Sequence, residues 1–477
     1  MKRNPTMHTT YSVPTIYQDI QSRKTTADLP SPLKISVPGS KSITNRALLL
    51  ATLANGTSTL RGVLFSDDSR HFLKCIQDLG FETTADETAK TIVVEGHGGA
   101  VPKAEADQFV GSAGTAARFL TAYLGLSNGT YHMDASKQMR KRPMAPLLDS
   151  LKELGCEVIY DTDSAEGHFP FTLRSHGFQK DRISVNIDSS SQFLSALLIA
   201  SCLSKEAFTT YIEGTHGRAY IDMTVKMMEQ FGVTATPLFY CGGNSDNHSC
   251  TGCINSTLPM GYRTVSGQSY RALDYQVEPD VSAACYFYAM SPLLGIPVQV
   301  EHVHFDSLQG DAALIHILEE MGCKAADLED GVLVEPPRDG VFHGITVDLS
   351  ACSDQAITLA AIAPYADSPT TITGIGHIRF QESDRITAIV TELRKMGIRC
   401  EETESSITIW PGQPTAALIE TYDDHRMAMG FSLTGLRSAG IVINDPDCCK
   451  KTFEEYFDVL DRVAGELIRF GQSAEIF

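Results

Sequence analysis

The sequence predicts an α/β protein assembled from six β-α-β-α-β-β repeats in two groups of three. Three observations predict it. A nearly pure apolar helix pattern, closed by a turn and followed by a β-rich run, recurs six times along the 477 residues. An amphipathic helix pattern with a terminal Gly follows it in each repeat, degenerate in the last. The spacing between repeats breaks once, near mid-chain.

The apolar helix patterns open at Ala47, Phe119, Phe193, Tyr286, Ala356 and Met427. They lie roughly 70–75 residues apart, with about 93 between the third and fourth. A helix with no polar face has to be buried, so these six predict the cores. The amphipathic partners read "FLKCIQDLGFE", "LLDSLKELGCEV", "VKMMEQFGVTAT", "ALIHILEEMGCKA" and "IVTELRKMGIRCE", with "FDVLDRVAG" a degenerate sixth copy. Their striped pattern predicts one face on the core and one in solvent. Short alternating runs such as "TIVVEG" and "SITIWPG" close the repeats as strands. The long third gap favours two closed groups over one solenoid, and a cleft between two lobes is where ligand sites commonly form.

Composition narrows the function. Net charge is −19 and the pI about 5.1, which argues against nucleic acid or an anionic membrane as partner. No apolar run reaches the roughly 18 residues a membrane span needs. Residues 1–33 lack the apolar region of a secretory signal and read as a lead-in, disordered or an edge strand. The 12 cysteines are scattered, which predicts reduced thiols and a cytoplasmic location. In the long third gap, Cys250 and Cys253 form a C-x-x-C, and Cys241 and His248 offer a third and fourth ligand. One such pair without a second matching pair predicts a loop with free thiols and no bound metal.

The chemistry lies at the helix starts. The six read "GSKSITNR", "GSAGTAAR", "DSSSQF", "VEPDVSAA", "CSDQAI" and "DDHRMA". The first N–H groups of a helix lack internal partners, and the dipole there is positive. Such ends bind phosphate and carboxylate. Ser and Asp are also ordinary N-caps. Three starts carry cations as well: Lys41 and Arg46, Arg118, and His425 with Arg426. Together they predict a site for substrates bearing several anionic groups. Further cations stand in "KQMRKRPMAPLL", where Arg140, Lys141 and Arg142 also fit a solvated run. Another stands in "FQESDRITAIV", where Glu382, Asp384 and Arg385 also fit a cap with i,i+3 pairing.

With these motifs in order, the chain resembles the 5-enolpyruvylshikimate-3-phosphate synthase family. "PGSKSITNRALLLA", "GSAGTAARFLTA", "SSQFLSALL", "YIDMT", "QGD", "ESDRI", "DDHRMAM" and "KTF..YF" carry the resemblance, from about Lys34 to about Leu460. It implies two inside-out α/β lobes of three repeats each: residues 1–37 with 277–477, and residues 38–276. It implies a monomer without metal or organic cofactor. The implied substrates are phosphoenolpyruvate and shikimate 3-phosphate, in aromatic amino acid biosynthesis.

The resemblance also implies roles. Lys41, Ser42 and Arg46 match the first substrate motif, with Lys41 touching both substrates. Ser190, Ser191 and Gln192 match the loop that binds the shikimate phosphate, with Gln192 also near phosphoenolpyruvate. Gly114, Arg142, Arg385, Arg426 and Lys451 match the phosphoenolpyruvate pocket. Asp354 matches the acid-base carboxylate at the acceptor hydroxyl, and Glu382 a carboxylate that moves a proton at the methylene carbon, with Lys41 as catalytic partner. The family commonly has Asn at Ser112, Ser at Gly217, Asn at His377 and Lys at Gln381. Gly217, His377 and Gln381 fall on acceptor-binding positions. A relative acting on another cyclic hydroxy acid and a non-catalytic anion-binding repeat protein are the alternatives. The related transfer to UDP-N-acetylglucosamine uses a Cys-Ala-Ile-Gly-Ala-Arg-Pro run, which is not found here.

Overall fold

A computed structural model describes residues 9–23, 32–162, 164–214, 217–239 and 258–469. Cys241, His248, Cys250 and Cys253 lie outside the described residues. The chain divides into two compact units, residues 39–278 and residues 1–38 with 279–477.

In the unit of residues 39–278, three helices are almost wholly buried: Lys41–Leu53, Gly114–Gly125 and Gln192–Ala200. Every residue of Gly114–Gly125 is buried, which is why its sequence shows no polar stripe. The amphipathic helices Asp67–Asp78, Ala145–Glu153 and Arg218–Gln230 each bury one face. Each repeat closes in a four-stranded mixed sheet. In the second repeat, Glu105–Phe109 pairs in parallel with Asn128–Asp134, which pairs antiparallel with Phe171–His176, followed by Glu157–Tyr160 at the far edge. The third repeat has the same order. The first repeat takes its parallel edge strand from far downstream, where Asp274–Gln276 pairs with Asn55–Arg61.

The unit of residues 1–38 and 279–477 repeats the plan. Its buried helices are Val281–Leu294, Ala356–Ile362 and His425–Arg437. They share one core with Leu33, Ile35, Val298, Ile372 and Ile443. Here the edge strand comes from far upstream, where Leu33–Ile35 pairs in parallel with Val298–Val300. The lead-in supplies Thr10–Ser12, which pairs antiparallel with Ile441–Asn444. That strand takes the place a terminal hairpin strand holds in the other repeats, and the sixth sheet has three strands. The helix Tyr17–Arg23 was not expected from the lead-in, since seven residues carry too little periodicity to read.

Candidate active site

Three of the six helix starts carry the side-chain cap their residue types favour, and those at Ala113, Ser191 and Gln355 do not. Ser40 accepts the Ile43 N–H at 3.4 Å, Asp280 the Ala283 N–H at 3.0 Å, and Asp424 the Arg426 N–H at 3.0 Å. The caps therefore use up part of the polar content of these segments. The cations beside them have separate partners.

In the unit of residues 39–278, Arg46 is 1% exposed. Its Nε donates to Thr224 Oγ1 at 2.8 Å, Nη1 to the Ser42 carbonyl at 3.1 Å and Nη2 to the Tyr220 carbonyl at 3.2 Å. Its guanidinium lies 5.2 Å from the Phe119 ring centre, and that of Arg118 lies 5.7 Å from Phe193. The first two buried helices thus each set an arginine on an aromatic ring of the next. Burial pushes Arg46 down to about 10, so it stays cationic at neutral pH. Lys41 Nζ lies 3.4 Å from the buried Asp68 Oδ2.

Gly114, Arg142 and Gln192 come together. A β-carbon at Gly114 would lie 3.0 Å from Arg142 Nη1 and 3.3 Å from both Arg118 Nη1 and Gln192 Oε1. The basic run divides: Arg140 pairs with Asp134 at the surface, whereas Arg142 is buried beyond the 3-10 turn Met139–Lys141. Ser190 Oγ accepts the Gln192 N–H at 3.3 Å. Gly217 has φ +62°, and a β-carbon there would lie 2.5 Å from Ser191 Oγ. Glycine meets both conditions at once, a left-handed backbone and close approach to Ser191.

The second cluster gathers three cations and three carboxylates. Arg385, 1% exposed, donates from Nη1 to Asp354 Oδ1 at 2.8 Å, from Nη2 to Glu382 Oε2 at 2.9 Å and from Nε to Asp424 Oδ2 at 2.8 Å. Arg426 Nη2 donates to the other Asp354 oxygen at 2.7 Å. Lys451 Nζ lies 3.4 Å from Glu382 Oε1. Burial works against the charge on Arg385, but Asp424, Glu382 and Asp354 together hold it above its ordinary value. Asp384 caps its own helix through the Thr387 N–H at 3.1 Å. The cap and the i,i+3 pair expected of this segment both form, alongside the longer-range pairs. His377 Nε2 and Ser353 Oγ share a 2.7 Å hydrogen bond, which sets the imidazole beside the turn bearing Asp354. Gln381 follows the 3-10 turn Gly376–Phe380.

Sequence reasoning gave no role to Asp68, Thr224 or Asp424, nor to Ser282 and Tyr286, whose hydroxyl oxygens each lie 3.5 Å from an Arg426 guanidinium nitrogen. Asp424 was legible as the N-cap in "DDHRMA", but its bond to Arg385 spans 39 residues. Each cluster offers guanidiniums and a lysine for anions, and the second adds carboxylates able to exchange protons.

A family model described as EPSP synthase (3-phosphoshikimate 1-carboxyvinyltransferase) matches residues 29–256 and 259–460. A protein of Trichormus variabilis named 3-phosphoshikimate 1-carboxyvinyltransferase is 42% identical over 433 residues, covering 91% of this chain and 96% of that protein. One of the same name from Sulfurovum sp. is 38% identical over 435 residues, covering 90% and 96%. The solved EPSP synthase of Acinetobacter baumannii shares the fold with a TM-score of 0.71 at 24% identity, over 91% of this chain and 97% of that one. By its sequence over most of its length, the chain belongs to the EPSP synthase (3-phosphoshikimate 1-carboxyvinyltransferase) family.

Proposed function

We propose that the chain transfers the carboxyvinyl group of phosphoenolpyruvate to the 5-hydroxyl of shikimate 3-phosphate and releases phosphate. The observation that carries this reading is the Asp354–Arg385–Arg426–Glu382–Lys451 cluster, where acid-base carboxylates and anion-binding cations share hydrogen bonds.

The acceptor oxygen adds to C2 of phosphoenolpyruvate only as the methylene carbon gains a proton and the hydroxyl loses one. The tetrahedral adduct then collapses, losing phosphate and returning the carbon proton. Asp354 takes the hydroxyl proton. Glu382, with Lys41, serves the methylene carbon. Gly114, Arg142, Gln192, Arg385, Arg426 and Lys451 hold phosphoenolpyruvate, with Lys41 shared between substrates. Ser42, Arg46, Ser190, Ser191, Gln192, Gly217, His377 and Gln381 hold shikimate 3-phosphate. Guanidiniums suit this work because two parallel donors match carboxylate and phosphate oxygens. The reaction needs no metal or organic cofactor, and the chain works as a cytoplasmic monomer. Among the described residues no helix is long and apolar enough to cross a membrane.

The test is phosphate release from phosphoenolpyruvate by the purified full chain. Release that depends on shikimate 3-phosphate, with a product heavier by one carboxyvinyl group, is the expected result. No release with any cyclic hydroxy acid would sink the reading. Release only with acceptors lacking the 3-phosphate would favour a different acceptor, a second reading that Gly217, His377 and Gln381 support. Arg142→Ala is expected to raise KM for phosphoenolpyruvate by about tenfold or more while moving KM for shikimate 3-phosphate little, since one charge-assisted partner is lost. Steady-state kinetics with each substrate varied checks it, and equal changes in both constants would remove Arg142 from that role.

A further inference from the structure

Asp311 has no part in the chemistry above, yet it is 4% exposed and one side chain away from it. It sits in the 3-10 turn Gly310–Ala312. Gln309 ties that turn to the start of the helix Val281–Leu294, accepting the Val281 N–H at 3.1 Å and donating to the Pro279 carbonyl at 2.8 Å. Ser282, in the first turn of that helix, donates its hydroxyl to Asp311 Oδ2. The same Ser282 oxygen lies 3.5 Å from Arg426 Nη2, the nitrogen that holds Asp354. The row therefore runs Asp311, Ser282, Arg426, Asp354.

A guanidinium only donates, so Ser282 has to turn a lone pair toward Arg426. Its single proton must then go elsewhere, and an ionised carboxylate, which only accepts, takes it. The helix start does not need Asp311 as a cap, because Asp280 supplies that. Asp311 Oδ1 has no hydrogen-bond partner among the described residues. Burying a carboxylate so sparingly satisfied is costly for the fold.

We propose that Asp311 is a positioning residue: through Ser282 its carboxylate fixes the Arg426 guanidinium in the orientation that receives phosphoenolpyruvate. This rests on the reading of Arg426 as a phosphoenolpyruvate ligand. The groups facing Asp311 are Asp280 and Cys285 at and within the helix Val281–Leu294, Cys352 and Asp354 ahead of Ala356–Ile362, and Arg426. Burial, then the charge of Asp354, pushes Asp311 up to about 6, against the pull of Arg426 and Ser282. Protonated, Asp311 can donate to Ser282, whose hydrogen is then free to face a group that only donates. The hold on Arg426 therefore weakens as pH falls through this range.

The experiment is steady-state kinetics of the full chain, Asp311→Asn, Ser282→Ala and the double variant, from about pH 5 to about pH 8 with both substrates varied. At the upper end Asp311→Asn should raise KM for phosphoenolpyruvate about tenfold, leaving KM for shikimate 3-phosphate within about twofold. The ratio of kcat/KM between wild type and Asp311→Asn should fall toward one as pH drops below the Asp311 midpoint. The titration of the substrate phosphate is common to both proteins and cancels in that ratio. Ser282→Ala should act in the same direction, and the double variant should be no worse than the stronger single. An unchanged KM for phosphoenolpyruvate, equal rises for both substrates, a ratio flat with pH or an additive double variant would each overturn the role. If Asp311→Asn does not fold by circular dichroism, Ser282→Ala decides: a selective rise supports the role and an unchanged KM overturns it. A wild type that never turns over phosphoenolpyruvate overturns the functional reading and this role with it. An active wild type with a silent Asp311→Asn overturns this role alone.

Discussion

Asp354→Asn is expected to turn over about 10²-fold or more slowly than the wild type while binding shikimate 3-phosphate with little change. The carboxylate accepts from Arg385 through one oxygen and from Arg426 through the other. Asparagine keeps the shape but replaces one acceptor by a donor that faces a guanidinium. It also cannot hold the hydroxyl proton at neutral pH. Arg385 keeps Glu382 and Asp424, so the fold should survive. Phosphate release gives the turnover, and calorimetric titration with shikimate 3-phosphate gives the binding. Wild-type turnover in this variant would remove Asp354 from the acid-base role.

Arg385→Ala should produce the largest loss of stability. One guanidinium, 1% exposed, serves Asp354, Glu382 and Asp424. Removing it leaves Asp424, 0% exposed, with the Ser383 hydroxyl and the Arg426 N–H donating to its carboxylate. An uncompensated buried charge of this kind costs about 3–5 kcal/mol. Arg385→Lys should recover only part of it, because a point charge cannot donate along three directions in a plane. Urea denaturation followed by far-ultraviolet circular dichroism reads the loss as a lower midpoint. A midpoint equal to the wild type would mean the three carboxylates are held by other groups.

The repeat plan was legible because burial on all sides leaves a plain mark. Helices such as Gly114–Gly125 and Val281–Leu294 bury nearly every residue, so no solvent-facing stripe breaks their apolar pattern. Which sheet a three-residue strand joins is another matter. Leu33–Ile35 and Asp274–Gln276 find partners hundreds of residues away, and so few residues carry no pattern that names a partner. The candidate site divides in the same way. Lys41, Arg46, Arg118, Arg385 and Arg426 stood out as charges at helix starts, whereas Lys451 drew notice only through the family resemblance. Their partners did not, because Asp68, Ser282 and Asp424 look like ordinary turn and cap residues until the fold sets them against Lys41, Arg426 and Arg385. Nor can a run of three cations say which is solvated. The turn at Met139–Lys141 decides that, leaving exposed Arg140 paired with Asp134 and Arg142 inside.

The pairing of Arg385, Arg426 and Lys451 with Asp354 and Glu382 has a thermodynamic consequence. An anion that draws on those cations competes with the two carboxylates for the same positive charge. A carboxylate that loses a positive neighbour, or gains a negative one, holds a proton more tightly. Ligand association and proton uptake are then linked functions, each promoting the other. Under the proposed function, an anion settling on the guanidiniums makes Glu382 a readier holder of the methylene proton and Asp354 a stronger base toward the acceptor hydroxyl before any bond is made or broken.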